Sequence, residues 1–447
     1  MFKNPIKRWE DIDKPAYQKL VKDTESKKLS DTSAVELLKD VKKLSEAAVD
    51  AYGSIVSGII PGAWISEGLF TLAYNKLIKR KKDPRAAVFL MGYNTTPIKA
   101  EKALYDLAGW IKTQPALADY FKKTSTKKLA TLFKYSITPK DIPKKTWQKW
   151  KKDFKDYLNN YGHLIYSLDF SNPTPADNPT DILETCKMYV SGKGADPHQR
   201  QRKSEEKRNL AVQKTKKRLR GLKARIFKKI LQSAQKYAPS REDGLADVGL
   251  SYPLLRKMLQ EIGRRLTTND SLEEPEDVFW LVQAELETAV KKLDKQQKPQ
   301  NYSPKVDQRK KAWHEAEKLT PPKMLVWGIS KKESLKKVVS KAAVIKGVAG
   351  SMGVASAPAV IINGPEDFEK MKAGSILVAP LTTPAWTSLF ARAAAIVTDV
   401  GGALSHGSIV AREYNIPAVL GTKNATRIIK DGQQITVDGT NGKVLLS

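Results

Sequence analysis

The chain has 447 residues, 41% of them apolar, and a formal charge of +30, which describes two or three globular domains with a strongly basic surface. Its single cysteine, Cys186, excludes an internal disulfide and a cysteine-built metal site, fits a reducing cytoplasm, and leaves no metal site to assign. Residues 344–447 hold nine Lys or Arg against seven Asp or Glu, so +28 of the charge belongs to residues 1–343.

The start, MFKNPIKRWED, lacks the apolar core and cleavage site of a secretory signal. Residues 33–48, SAVELLKDVKKLSEAA, place apolar side chains at three- and four-residue steps, which predicts a helix capped by Asp31 or Thr32. Residues 51–66 are free of charge. They are too short to span a bilayer, Pro61 interrupts them and Glu67 follows, so a buried helical hairpin is expected and no membrane partner. Helical periodicity recurs over 98–110, 146–157, 203–237, 252–266 and 278–293, separated by breakers such as FSNPTPADNPT at 170–180. Within 199–229 the basic residues mix with Glu205, Glu206 and leucines at helical spacing, the pattern of a solvated basic face. An acidic partner is the next reading. Nucleic acid is not expected, because neither zinc-finger spacing nor an aromatic RNA-binding signature is present.

After residue 335 the pattern changes. Twelve of the 26 glycines fall in this last quarter. Short runs rich in Val and Ile, at 359–362, 375–378, 395–398, 418–420, 434–437 and 443–446, are bounded by turn residues and predict strands. Helices fit 365–371, 384–393 and 407–414. The expected architecture is therefore a large, mainly helical region over 1–335, a linker at 336–343, and a small α/β domain over 344–447.

One segment of that domain carries chemistry: GGALSHGSIVARE, residues 401–413. Gly401 and Gly402 admit backbone conformations that a Cβ forbids, and Ser405 is placed to cap the following helix. His406 then falls on the first helical turn, where free N–H groups favour an anion. Its neutral imidazole is a nitrogen nucleophile near pH 7. Arg412 and Glu413 are expected to form a structural ion pair. These residues alone leave a cap, a core histidine, a phosphate ligand and a covalent carrier all open.

The order KGVAGSMGVASAPAVII, GSILVAPLTTPAWTSLFARAAAIVTDVGGALSHGSIVAREYNIPAVLGT and DGQQITVDGTNGKV over 345–444 resembles the swivelling phosphohistidine domain of the phosphoenolpyruvate-utilising enzymes. The resemblance implies a mobile β/β/α domain whose histidine, here His406, is phosphorylated and carries the group between distant sites. It also implies that Thr382 hydrogen-bonds the imidazole. Leu404 stands where plant-type dikinases have a regulatory threonine, so that regulation is not carried over.

Residues 1–335 resemble the helical acceptor-binding region of rifampicin phosphotransferase, through MGYNTTPIKAEKALYDLA (91–108), YLNNYGHLIYSLDFSNP (157–173), SREDGLADVGLSYPLLRKMLQEIGRRL (240–266), LEEPEDVFWLVQAEL (272–286) and WHEAEKLTPPKML (313–325). This similarity implies acceptor-side roles for Arg241, which would meet the phosphoryl group, and Glu242, which would take the hydroxyl proton. It adds His163 as a base or donor and Asn94 in an N-x-T turn. Leu164 and Leu245 depart from the arginine and lysine of relatives. Neither a Walker A loop nor the alternation of an ATP-grasp module is visible. The expectation is a cytoplasmic phosphotransferase subunit of the kind found in phenylphosphate synthase. His406 would be loaded from ATP and Mg²⁺ by a separate ATP-grasp subunit and discharged to a small-molecule hydroxyl, with a phenol favoured. A rifamycin- or other alcohol-directed phosphotransferase part and a non-catalytic phosphocarrier are the alternatives.

Overall fold

The structure is a computed structural model describing residues 4–317, 344–403 and 405–446. The expected linker at 336–343 lies outside the described residues, as does part of the 313–325 match. The architecture is the expected one, a large helical region followed by a mixed-sheet domain. Packing divides the chain into two compact units. One comprises described residues within Met1–Gln18, Ala48–Pro253 and Ala342–Ser447; the other lies within Lys19–Ala47 and Leu254–Lys341. Composition gave no sign of this division inside the helical region.

In the first unit, the helices Thr96–Lys112, Pro115–Lys123, Thr126–Lys134, Lys144–Tyr161 and Thr180–Val190 enclose one core. Trp147, Trp150 and Phe154 recur at three- and four-residue steps along a single face, and all three are fully buried. A second core is aromatic: Phe70, Tyr74, Phe89 and Phe227 meet with ring centroids 4.8–6.1 Å apart.

Several expected elements differ. Residues 51–66 do not form a hairpin. The helix Ala34–Ser54 runs on through a π turn, Ile55–Ile59, into Ile60–Ala73. Proline lacks the N–H for an i→i−4 bond and clashes with the carbonyl there, and the π turn just before Pro61 absorbs that mismatch without stopping the helix. Among the described residues, the run Ala34–Ile78 is long and apolar enough to cross a membrane by length and composition. Its Trp64, Ile65, Leu69 and Leu72 are exposed, whereas Ser66, Glu67 and Phe70 are buried. The helix expected over 203–237 is two helices, Pro197–Arg218 and Gly221–Asp247. They are separated where Arg220 is extended and Gly221 takes φ +56°.

In the second unit, the Ala34 helix is not capped by Asp31 or Thr32. Ser33 Oγ accepts from Glu36 N, and the Asp294 carboxylate accepts from Ala34 N and Val35 N at 2.8 and 2.9 Å. A long-range carboxylate does the work the local sequence offered to do.

The C-terminal domain is an eight-stranded mixed sheet. Its strands are β1 Val344–Lys346, β2 Val348–Ser351, β3 Val354–Ile361, β4 Ile376–Ala379, β5 Ala395–Thr398, β6 Ala418–Leu420, β7 Gln434–Asp438 and β8 Lys443–Leu446, in the order β1-β8-β7-β3-β4-β5-β6-β2. β3, β4, β5 and β6 run parallel, and β4 to β6 are buried on both faces, which explains their continuous apolar runs. Period-two alternation sends Ile376, Val378, Ala395 and Val397 to one core. Leu377, Ala379 and Ile396 face the other, where Val410 and Ala411 of the helix His406–Tyr414 pack. That second core continues into Ile98, Leu164, Tyr166 and Ala246 of the helical region, so the sheet domain is seated on it through shared apolar contact.

Candidate active site

The segment that follows β5 leads into the helix His406–Tyr414. Gly401 has φ +139°, a conformation closed to side-chain-bearing residues at acceptable cost. Gly402 is different from what the sequence led us to expect. Its φ is not positive and a Cβ there would meet open space. It acts through its carbonyl, which accepts from Ser405 N at 3.0 Å, Ser405 Oγ at 2.9 Å and Ser408 Oγ at 2.7 Å. Ser405 occupies the N-cap position, but its hydroxyl makes no capping bond because it is turned back to Gly402. The expected Arg412–Glu413 pair is replaced by separate partners. Arg412 donates to the carbonyls of Ser408 and Ala403, at 2.9 and 2.5 Å, and Glu413 accepts from Gly92 N at 2.6 Å.

His406 opens the helix and is 9% exposed. Its Nδ1 lies 2.9 Å from Glu242 Oε2, while Nε2 is buried without a hydrogen-bond partner. A carboxylate only accepts, so the bond fixes the proton on Nδ1 and leaves the Nε2 lone pair free in the neutral ring. Thr382 does not bond the imidazole. Its Oγ1 lies 2.9 Å from where a Cβ on Gly407 would stand, so it packs on the first helical turn while Glu242 takes the ring nitrogen.

Glu242 belongs to the helix Gly221–Asp247. Its other oxygen, Oε1, accepts from Arg241 Nε at 3.2 Å, and Arg241 Nη1 reaches Glu67 Oε2 at 3.7 Å. Burial alone would raise the Glu242 carboxyl; the hydrogen bond and charge of His406, with the Arg241 guanidinium, outweigh it and hold the group down at about 2. Burial raises Glu67 against the pull of Arg241 and Arg412. Glu67, Arg241, Glu242, Arg412 and Glu413 line one cleft with an apolar wall that includes Leu90, Met91, Ile98 and Ile409.

Of the residues singled out in the sequence, His406, Arg241 and Glu242 are therefore brought together, with Ser405, Gly401 and Gly402 shaping the segment behind the histidine. His406 does not itself line the cleft and meets it through Glu242, whereas His163 and Asn94 neither line it nor bond Arg241, Glu242 or His406. Burial lowers His163 to about 4, with Lys14 adding to the effect, and its Nε2 has no hydrogen-bond partner. Asn94 is exposed and accepts from Lys102 Nζ at 3.0 Å. Glu67 was read only as the charge that ends an uncharged run, with no motif around it to mark it as a site residue. Among the described residues, no cluster of three or more His, Cys, Asp or Glu side chains is arranged to hold a metal ion.

The site is thus a histidine with one bonded and one unbonded ring nitrogen, set at a helix start on a parallel-centred sheet that packs on the helical region. Residues 371–442 match the family model of the PEP-utilising enzyme mobile domain, and residues 51–242 match that of the rifampicin phosphotransferase fourth domain. The chain thus carries the mobile domain of the phosphoenolpyruvate-utilising enzymes and resembles rifampicin phosphotransferase. It is 28% identical over 427 residues to rifampicin phosphotransferase of Bacillus subtilis (strain 168), covering 91% of this chain and 46% of that one. It is 40% identical over 200 residues to the uncharacterized phosphotransferase YvkC of the same organism, covering 42% of this chain and 23% of that protein. Similarity to the prodigiosin synthesizing transferase PigC of Serratia marcescens is 28% over 364 residues, 79% of this chain and 39% of that one. The chain spans less than half the length of each of these relatives.

Proposed function

We propose that this chain is the carrier and acceptor part of a phosphotransferase, in which His406 Nε2 takes a phosphoryl group and passes it to the hydroxyl of a small molecule held by the helical region. The observation that carries this reading is the divided state of the imidazole: Nδ1 is bound to Glu242, and Nε2 is buried with no partner. In the transfer, the Nε2–P bond breaks with its electron pair returning to nitrogen, an O–P bond forms, and the hydroxyl proton leaves to solvent. Glu242 is better suited to holding Nδ1–H and offsetting the charge of the phosphorylated ring than to taking that proton. A carboxyl held at about 2 is a weak base. Loose phosphoryl transfer makes little demand on a base and much on positioning and charge, which Arg241 and Glu242 supply.

The phosphoryl group comes from ATP with Mg²⁺ through a separate ATP-grasp subunit in this reading, as in phenylphosphate synthase. A phenol, with a pKa near about 10, is the favoured acceptor, because it loses its proton more readily than an alcohol. A rifamycin-type alcohol is the second reading, and the 91% coverage of this chain by rifampicin phosphotransferase favours it. The test incubates the purified chain with candidate ATP-grasp proteins and labelled ATP. Acid-labile label on the wild type and none on His406→Ala is the expected result; no label with any partner rejects the scheme. Adding phenols or rifamycins to the labelled chain then separates the two acceptors.

A further inference from the structure

Two residues beyond the histidine's reach, Glu413 and Tyr414, end the same helix, and neither is used by the chemistry above. Both touch the helical region. Gly92 sits in the MGYNTT turn with φ +76°, a conformation in which its N–H meets Glu413 Oε1 at 2.6 Å while its carbonyl accepts from Gln201 Nε2 at 3.0 Å. A Cβ at Gly92 would fall 2.3 Å from Glu205 N, so only glycine fits between that backbone and the incoming carboxylate. One residue farther on, the Tyr414 ring lies under the Arg200 guanidinium, 3.6 Å from its centroid. Arg200 is in turn fixed by an ion pair with the buried Glu101, which also accepts from Tyr189 at 2.7 Å.

We propose that Gly92, Arg200 and Glu101 form a docking socket for Glu413 and Tyr414, and that these are positioning residues setting the register in which His406 meets Glu242. Two features support a socket over ordinary packing. The contacts are polar and directional, so they fix one arrangement, whereas the apolar core shared by the two regions tolerates sliding. They also grip the C-terminal end of a nine-residue helix whose N-terminal end carries the histidine, so a rigid rod transmits the register. The inference deepens the proposed function, since it concerns how the carrier is seated for discharge.

The test is hydrogen exchange on the full chain, read by mass spectrometry in the 382–390 segment, which holds the short helices Pro384–Trp386 and Thr387–Phe390. That segment docks elsewhere, through Thr383 Oγ1 on the carbonyls of Ile165 and Tyr166 at 2.9 and 3.1 Å. Arg200→Ala removes the stacked guanidinium, Glu413→Ala removes the acceptor of the Gly92 N–H, and opening of the 382–390 segment is expected to quicken roughly tenfold or more. Arg200→Lys, which keeps the charge without the planar stack, should fall between them and the wild type. Exchange in strand β4 and in the helix Lys144–Tyr161 should stay at wild-type rates. Unchanged exchange in the 382–390 segment overturns the proposal, and so does acceleration spread equally over it, β4 and the helix Lys144–Tyr161, which marks general destabilisation. Labelling of His406 is scored separately on the same variants. Its absence in the wild type rejects the phosphohistidine reading and leaves the exchange result to judge the socket alone.

Discussion

The carrier side and the receiving side of this site are built in opposite ways. On the carrier side, Ser405, Ser408 and Arg412 bind the carbonyls of Gly402 and Ala403, all within twelve residues of Gly401. On the receiving side, Glu67, Gly92, Glu101, Arg200, Arg241 and Glu242 come from five separate elements, joined by packing over some 175 positions of sequence. Under the proposed function, a group that travels must take its supports with it, which accounts for geometry encoded locally. A surface that waits can be assembled from distant pieces, and it is then only as firm as the core beneath it.

That contrast can be broken most severely from below. Phe70, fully buried in the aromatic core, is on the same helix as Glu67. Phe70→Ala should cost about 3–5 kcal/mol in denaturant or thermal unfolding of the unit that contains it. It should also loosen the cleft while leaving the β4–β6 sheet protected from hydrogen exchange. Equal loss of protection in both places would erase the distinction. Glu242→Gln keeps the shape but removes the charge that holds Nδ1–H. It should slow discharge of labelled His406 to acceptor by about 100-fold with loading retained, the size of one lost electrostatic contact in the transition state, measured by single-turnover loss of label.

A milder test uses pH. The His163 imidazole is lowered in the folded state, to about 4 from 6.5, so below pH 6.5 the unfolded chain binds a proton that the folded chain refuses. Stability therefore falls as pH drops from 6.5 towards 4, by roughly 2 kcal/mol at pH 5 from this group. His163→Leu should flatten that part of the stability–pH curve, and an unaltered slope would contradict the assignment. Glu242 acts with the same sign in a more acidic window. Its folded pKa is depressed, so its contribution is present above about 4.5 and is lost only as pH falls towards 2. The smallest effect is expected from Ser408→Ala, which removes one bond to Gly402 O from the carrier segment. A loss of about 1 kcal/mol in stability, with labelling still detectable, would show that the segment is held by several local bonds in parallel.

Reading the chain by pattern worked best where the structure is local. The six strands expected after residue 335 match β3 to β8 in place, because period-two and all-apolar runs between turn residues reflect contacts a strand must make. β1 and β2 were missed: they are short, pair at the sheet edges, and have too few buried residues to show a pattern. Pro61 misled because a proline's effect depends on whether the neighbouring turn can widen, and nothing in the local sequence says that it can.

By itself the sequence determined that a histidine stands at a helix start behind a glycine-bearing turn, and that a helical region precedes a mixed α/β domain. These follow from spacing, capping and periodicity, which act over a few residues. Only the tertiary structure decided which nitrogen of His406 is committed, that Glu67 joins Arg241 and Glu242, and that Glu413 answers Gly92 rather than Arg412. Those choices rest on desolvation and on partners 164 to 321 positions away, and at such range a linear pattern of residue types holds no information about who meets whom.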